Sequence, residues 1–161
     1  MALVLSIPAL ADGPTLAPEG ERATMLVVDK AARRLSLYRG DLLLKSYDVA
    51  LGGNPVGTKE RQGDSRTPEG RYIIDLKNDA SRFHLSLRIS YPDDADRARA
   101  AAAGVSPGGD IFVHGLPNGY GWLGAAHRTR DWTDGCIAVT DTEIEEIWSL
   151  VGTGTPIEIR P

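Results

Sequence analysis

A chain of 161 residues with one cysteine, three histidines and no excess of positive charge rules out several functions at once. A lone thiol closes no internal disulfide, so its count says nothing of the redox compartment. Lys and Arg number 18 against 22 for Asp and Glu, giving a net charge of -4 and a pI near 5.3, and the cations are scattered. Nucleic acid is therefore not an expected partner, because phosphate binding needs a basic face. No apolar run approaches the ~20 residues of a membrane-spanning helix. Zinc-type C-x-x-C or H-x-x-x-H spacing is missing; Cys136, His114 and His127 can be drawn as a ligand trio, but their spacing does not match. Neither a metal nor a cofactor is expected.

Glycine and proline, at 18 and 10 residues, are plentiful and favour many turns. Residues 1–22 read as a short or truncated export signal followed by a linker. MALVLSIPALAD has an apolar run ending in Ala9-Leu10-Ala11, a small-x-small pattern like a signal-peptidase site, but no basic start. Residues 23–161 read as one domain. Period-two alternation predicts strands at 34–40, 46–51 and 84–91, and the short apolar run MLVVD (25–29), RYIIDLK (71–77), IFVHG (111–115) and GTPIEIRP read as further strands. An Ala-Arg helix follows Asp93-Asp94 and stops at Gly104; its apolar side chains are only alanines, so it belongs on the surface. A second helix begins at a Thr140-x-x-Glu143 capping box. The expected architecture is mainly β with two short peripheral helices. Residues 116–131 form a long loop, and such loops in compact domains are usually functional or disordered.

The thiol lies in DWTDGCIAV, residues 131–139. A nucleophilic cysteine needs a base or a positive partner, and donors for the oxyanion formed when it attacks a carbonyl. His114 is the candidate base, at a strand end 22 residues before Cys136. His84 opens an alternating strand and fits a strand face; His127 fits a solvated loop beside Arg128 and Arg130. A buried, inert thiol also fits the spacing. Gly135, next to the thiol, favours a pocket lined by backbone N–H groups.

IFVHG, a Gly-rich loop, Gly-Cys-Ile, a capped helix and GTPIEI, together with the upstream RTPEGRYII, resemble the L,D-transpeptidase catalytic domain (YkuD-type) over residues 24–160. The resemblance implies a β-sandwich or barrel-like domain acting on peptidoglycan stem peptides in cell-wall organisation, at a periplasmic or exported address. It implies Cys136 as nucleophile, His114 as general base, Gly115 orienting that histidine, and Gly135 and Cys136 giving N–H groups to the oxyanion. The usual centre is Ser-His-Gly-Cys-(Ile/Val)-Arg, whereas this chain reads Thr133-Asp134-Gly135-Cys136-Ile137-Ala138. Asp134 would raise the thiol pKa if close and charged. Arg128 and Arg130 are candidates to replace the missing arginine, or are solvated loop charges. Trp122, Trp132 and Tyr120 either wall a substrate groove or form the loop's own core.

The DWTDGC form resembles a subgroup that includes enzymes hydrolysing wall-linked substrates. Three readings follow: a cysteine transpeptidase, an L,D-endo- or carboxypeptidase hydrolysing peptidoglycan or a link to a wall lipoprotein, and an inactive wall-binding module.

Overall fold

The computed structural model describes residues 14–161; the Ala9-Leu10-Ala11 expectation lies outside them. Eight strands form one strongly curled sheet in the order β3-β2-β1-β8-β4-β5-β6-β7. Here β1 is Met25–Asp29, β2 Arg34–Arg39, β3 Leu42–Asp48 and β4 Gly70–Ser81; β5 is His84–Ile89, β6 Phe112–His114, β7 Ile137–Ala138 and β8 Pro156–Arg160. The predicted mainly β class is observed, with helices α1 (Asp94–Ala102) and α2 (Asp141–Leu150) and a 3-10 segment at Gly121–Thr129.

The alternation expected of β2 is observed, and β1, expected as an apolar run, alternates in the same way. Leu26 pairs with Leu37 and Val28 with Leu35, and all four side chains are buried. Such cross-strand pairs fix register, because a slip of one residue would turn each leucine to solvent. β8 runs parallel to β1 and antiparallel to β4, so the end of the chain closes the middle of the sheet. β4 curls the sheet: its first residues pair with β8 and its remainder with β5, with irregularities at Ile74/Leu76 and Asn78/Ser81. Bulges of this kind bend a strand and re-aim its side chains.

The expected strand at 46–51 is shifted. β3 begins at Leu42 and ends at Asp48, yet Tyr47, Val49 and Leu51 are all buried as their alternation implies. Ala50 leaves the strand to bridge Ala138. α1 starts on an Asp93 capping box and buries only Asp96 and Ala100, the shallow contact its alanines imply. α2 starts on the Thr140–Glu143 capping box and sends Ile144 and Ile147 into the core. Residues past 14 are held down: Ala17 N–H donates to Ser149 O and Ala23 N–H to Leu150 O, both at 2.8 Å.

The polar loop before β4 is anchored by a buried ammonium. Lys30, 2% exposed, donates to Gly57 O and Thr67 O at 2.8 Å and to Glu69 Oε1 at 3.0 Å. Three acceptors satisfy all its donors, which is what makes burying it tolerable. The RTPEG run is thereby pinned against the sheet, behind the segment that carries the thiol.

Candidate active site

β7 is only two residues long, yet it is bonded on both sides. Ala138 and Ala50 exchange two hydrogen bonds (2.9 and 3.0 Å), while Val139 N–H donates to His114 O at 2.9 Å. The parallel register sets Val113 beside Ile137 and His114 beside Ala138, which brings Phe112 level with Cys136. Phe112 N–H donates to the Cys136 Sγ at 3.4 Å, and the thiol points toward Asp110 O at 3.8 Å. The turn into β7 is tied by Thr133, whose Oγ1 donates to Cys136 O (2.7 Å) and accepts from Gly135 N–H (3.1 Å). Gly135 has φ +136, and a Cβ there would lie 2.6 Å from Arg66 O. Only glycine fits that conformation and that approach.

His114 ends β6 and is 2% exposed. Its Nδ1 lies 2.6 Å from Gly115 O. A carbonyl only accepts, so Nδ1 carries the proton and Nε2 keeps its lone pair. A Cβ on Gly115 would meet Asp141 Oδ1 at 2.7 Å, so this position too excludes a side chain. The ring packs on Phe83, centroids 4.3 Å apart, and meets Trp132 edge-on at 5.8 Å. Burial pushes the imidazole down to about 4, against a smaller upward pull from the Gly115 carbonyl. Burial likewise pushes the Cys136 thiol up; the Phe112 N–H lowers it and Asp134 raises it further. The resting pair is thus neutral thiol and neutral imidazole.

Both side chains line one cleft of about 540 Å³, with Phe83, Arg82, Trp132 and Asp134 among its other walls. Cys136 and Asp134 also line a second cleft of about 360 Å³, bounded by Lys59 and Gln62. Cys136 thus belongs to the walls of both clefts. A sequence profile of the L,D-transpeptidase catalytic domain matches residues 23–159. The chain belongs to this L,D-transpeptidase family.

It is 32% identical over 140 residues to an Escherichia coli K12 protein carrying the provisional name L,D-transpeptidase YafK, covering 82% of this chain and 48% of that one. The chain thus spans about half the length of the curated relatives it matches. Among solved structures it resembles the helical cell shape determining protein Pgp2 of Campylobacter jejuni (TM-score 0.65, 20% identity, 93% of this chain and 52% of that one). It also resembles Bdellovibrio bacteriovorus Bd1075 (0.60, 22%, 91% and 51%) and an L,D-transpeptidase of Mycobacterium smegmatis (0.57, 15%, 86% and 59%). At these identities the likeness is one of fold.

Within the L,D-transpeptidase domain the other sequence candidates fall in different places. Trp132 and Asp134 reach the cleft. Arg130 lines a neighbouring cavity instead, and Arg128 pairs with Glu143 at 3.3 Å. Trp122 stands 78% exposed, outside any loop core. Ala138, where the family's arginine would stand, is fully buried and bonded to Ala50, so a guanidinium there would have to be buried too. His127 is not solvated: it is 7% exposed and accepts from the Trp132 indole N–H at 3.2 Å. His84 faces α2, 2.7 Å from Glu145.

Sequence reasoning missed Arg33, which grips Asp131 with Nε and Nη2 at 2.8–3.1 Å. Asp131 also accepts from Leu51 N–H at 3.0 Å. The Arg33–Asp131 contact spans 98 residues, and no local pattern signals it. Lys59, buried against Asp64 at 2.8 Å only five residues on, was missed as well. Among the described residues no helix is long and apolar enough to cross a membrane, and no three His, Cys, Asp or Glu side chains are grouped to hold a metal ion.

Proposed function

We propose that this domain is a cysteine acyltransferase acting on peptidoglycan stem peptides in the cell wall, with Cys136 as nucleophile and His114 as general base. The observation that carries the proposal is their convergence on one cleft, with Nδ1 of His114 committed to Gly115 O. Cys136 Sγ attacks the carbonyl after the L-centre of the diamino acid as Nε2 takes the thiol proton. Because both groups rest neutral, proton transfer accompanies attack, and no preformed thiolate is needed. The C–N bond then breaks, the departing D-amino acid takes the proton from His114, and a thioester remains. An amine or water attacks the thioester, and the thiol regains its proton.

Gly135 N–H is held by Thr133 Oγ1, so the oxyanion role expected of it passes to the Cys136 N–H. Arg82, exposed on the cleft lip, is placed to meet a stem carboxylate. The two clefts that share Cys136 support two-substrate transfer, with donor and acceptor entering by one each. Hydrolysis, including release of a wall-linked lipoprotein, uses the same thioester with water as acceptor. A substrate in the wall gives the domain a periplasmic or exported address.

Mass spectrometry of purified protein incubated with disaccharide-tetrapeptides tests the proposal, with Cys136→Ala alongside. Loss of the terminal D-amino acid, or a cross-linked dimer, is expected for the wild type and not for the variant. Equal product from both would remove Cys136 as nucleophile. No product from free stems or from intact sacculi would support the inactive wall-binding module.

A further inference from the structure

One buried imidazole has no part in the proposed chemistry. His127 lies on the Gly121–Thr129 segment and is 7% exposed. An indole N–H can only donate, so the 3.2 Å bond from Trp132 Nε1 makes His127 Nδ1 the acceptor and places the ring proton on Nε2. The ring is therefore neutral, because an imidazolium has no acceptor. Burial favours that state and so does Arg128, against a weaker opposite pull from Glu143.

The remaining Nε2–H is buried and has no hydrogen-bond partner among the described residues. Leaving a buried donor unpaired costs more than a single neutral hydrogen bond returns. A leucine packed beside Leu123 and Ala126 would carry no such penalty. Stability does not account for the histidine. What it has and leucine lacks is the acceptor at Nδ1.

That acceptor holds Trp132, and Trp132 meets the proposed base. With its N–H bound, the indole stands edge-on to the His114 ring at 5.8 Å. Phe83 covers the His114 ring at 4.3 Å and lies 6.3 Å from the indole. Trp132 also lines both the thiol cleft and a neighbouring cavity of about 590 Å³. An indole without its acceptor would be free to turn its N–H toward solvent in either one. The edge set against His114 would go with it.

We infer that His127 is a positioning residue for the site: by accepting from Trp132 Nε1–H it sets the indole against His114 and keeps that ring enclosed between Trp132 and Phe83. That His114 acts as a base rests on the function proposed above; the packing of the rings does not.

The test follows the His114 ring nitrogens by ¹⁵N NMR in the full chain, in the wild type, His127→Leu and His127→Asn. Asparagine sets a carbonyl oxygen at the same remove from Cβ as Nδ1 and so keeps the acceptor, whereas leucine removes it. Both variants remove the imidazole, so any charge effect of His127 on His114 cancels between them. Burial holds the wild-type ring at about 4, and it should stay neutral down to about pH 5. In His127→Leu the ring becomes hydrated and should protonate at a pH at least about one unit higher, a tenfold change in acidity. His127→Asn should titrate like the wild type. Trp132→Phe, which keeps an aromatic ring without the N–H, should shift His114 as leucine does and serves if His127→Leu does not fold. Tetrapeptide turnover by His127→Leu should lose about tenfold or more in kcat with KM little changed. A His114 that titrates as in the wild type in the folded variant, or an equal shift in His127→Asn, would overturn the inference. A shifted His114 in a protein whose wild type turns over no tetrapeptide would sink the acyl-transfer proposal and leave the positioning link standing. Wild-type turnover with His114 unmoved in every variant would do the reverse.

Discussion

The two ends of the curled sheet are built differently. At the β1–β2 end, paired leucines and valines alternate inward over five registered positions, and no proposed site residue lies there. At the β6–β7 end the strands are three and two residues long, and almost every backbone group is placed by a specific partner. Thr133 ties the turn, Asp131 grips Arg33 and Leu51, and Ala50 closes the outer side of β7. Regular ladders supply stability through burial, which tolerates any fitting hydrophobe. The site end fixes the positions of individual atoms, and for that it needs particular donors and acceptors.

The difference should show as opposite failures under mutation. His114→Ala is expected to lower the rate of acyl transfer by ~10²-fold or more, the usual loss when a general base is removed. A change at this buried ring could also loosen the fold, so melting is measured beside turnover. Leu37→Ala, at the other end, is expected to cost about 2–5 kcal/mol of stability. Its activity per folded molecule should match the wild type in mild conditions. If Leu37→Ala lost turnover while remaining folded, the two ends would not be separable, and the comparison would fail.

Asp131→Ala cuts the link between them. It strands the Leu51 N–H and part of the Arg33 guanidinium, and about 1–3 kcal/mol of stability should go with it. Denaturant unfolding measures that loss. Turnover should fall further than stability alone accounts for, because Asp131 starts the turn that holds Cys136. Equal losses at both readouts would make Asp131 a general brace with no special role at the site.

The legibility of the sequence follows the same division. Period two located β2 and β5 because burial repeats along a strand, an apolar run located β1, and the capping box located α2 because its two partners are three residues apart. Cys136 and His114 stood out by rarity and by motif. The supports of the site were illegible: Arg33 reaches Asp131 across 98 positions, and Lys30 reaches Glu69 across 39. Nothing in a local window says that a surface-type residue will be buried. His127 misled for that reason, since two neighbouring arginines suggest solvent although its ring is enclosed by Trp132 and the apolar loop.

Acid should affect activity and stability over different pH ranges. Burial holds His114 at about 4, below the 6.5 of a free imidazole, so its basic form persists as pH falls through 6. The acid limb of kcat/KM is expected near pH 4, and a limb at 6.5 would show that substrate sees an unburied base. Between 6.5 and about 4 the unfolded chain binds a proton at this position that the folded chain refuses. Stability contributed at this site therefore falls as pH drops through that window. Melting temperature against pH, with His114→Gln as the non-titrating control, separates this term from the carboxylates.

The smallest effect concerns the residue that departs most plainly from the family's centre. Asp134 is exposed, and it is a lesser cause than burial in raising the thiol. Asp134→Asn should therefore speed iodoacetamide labelling of Cys136 by less than about fivefold, since two charges 4 Å apart in water interact by only about 1 kcal/mol. A larger gain would mean that the carboxylate, and not enclosure by the cleft, keeps the thiol protonated. Asp134→His asks the chemical question. If cross-linked product rises against hydrolysed product, this position selects the acceptor at a site whose nucleophile and base stay the same. If the ratio stays fixed, selection lies with the two clefts that the thiol lines, and Asp134 only tunes its charge.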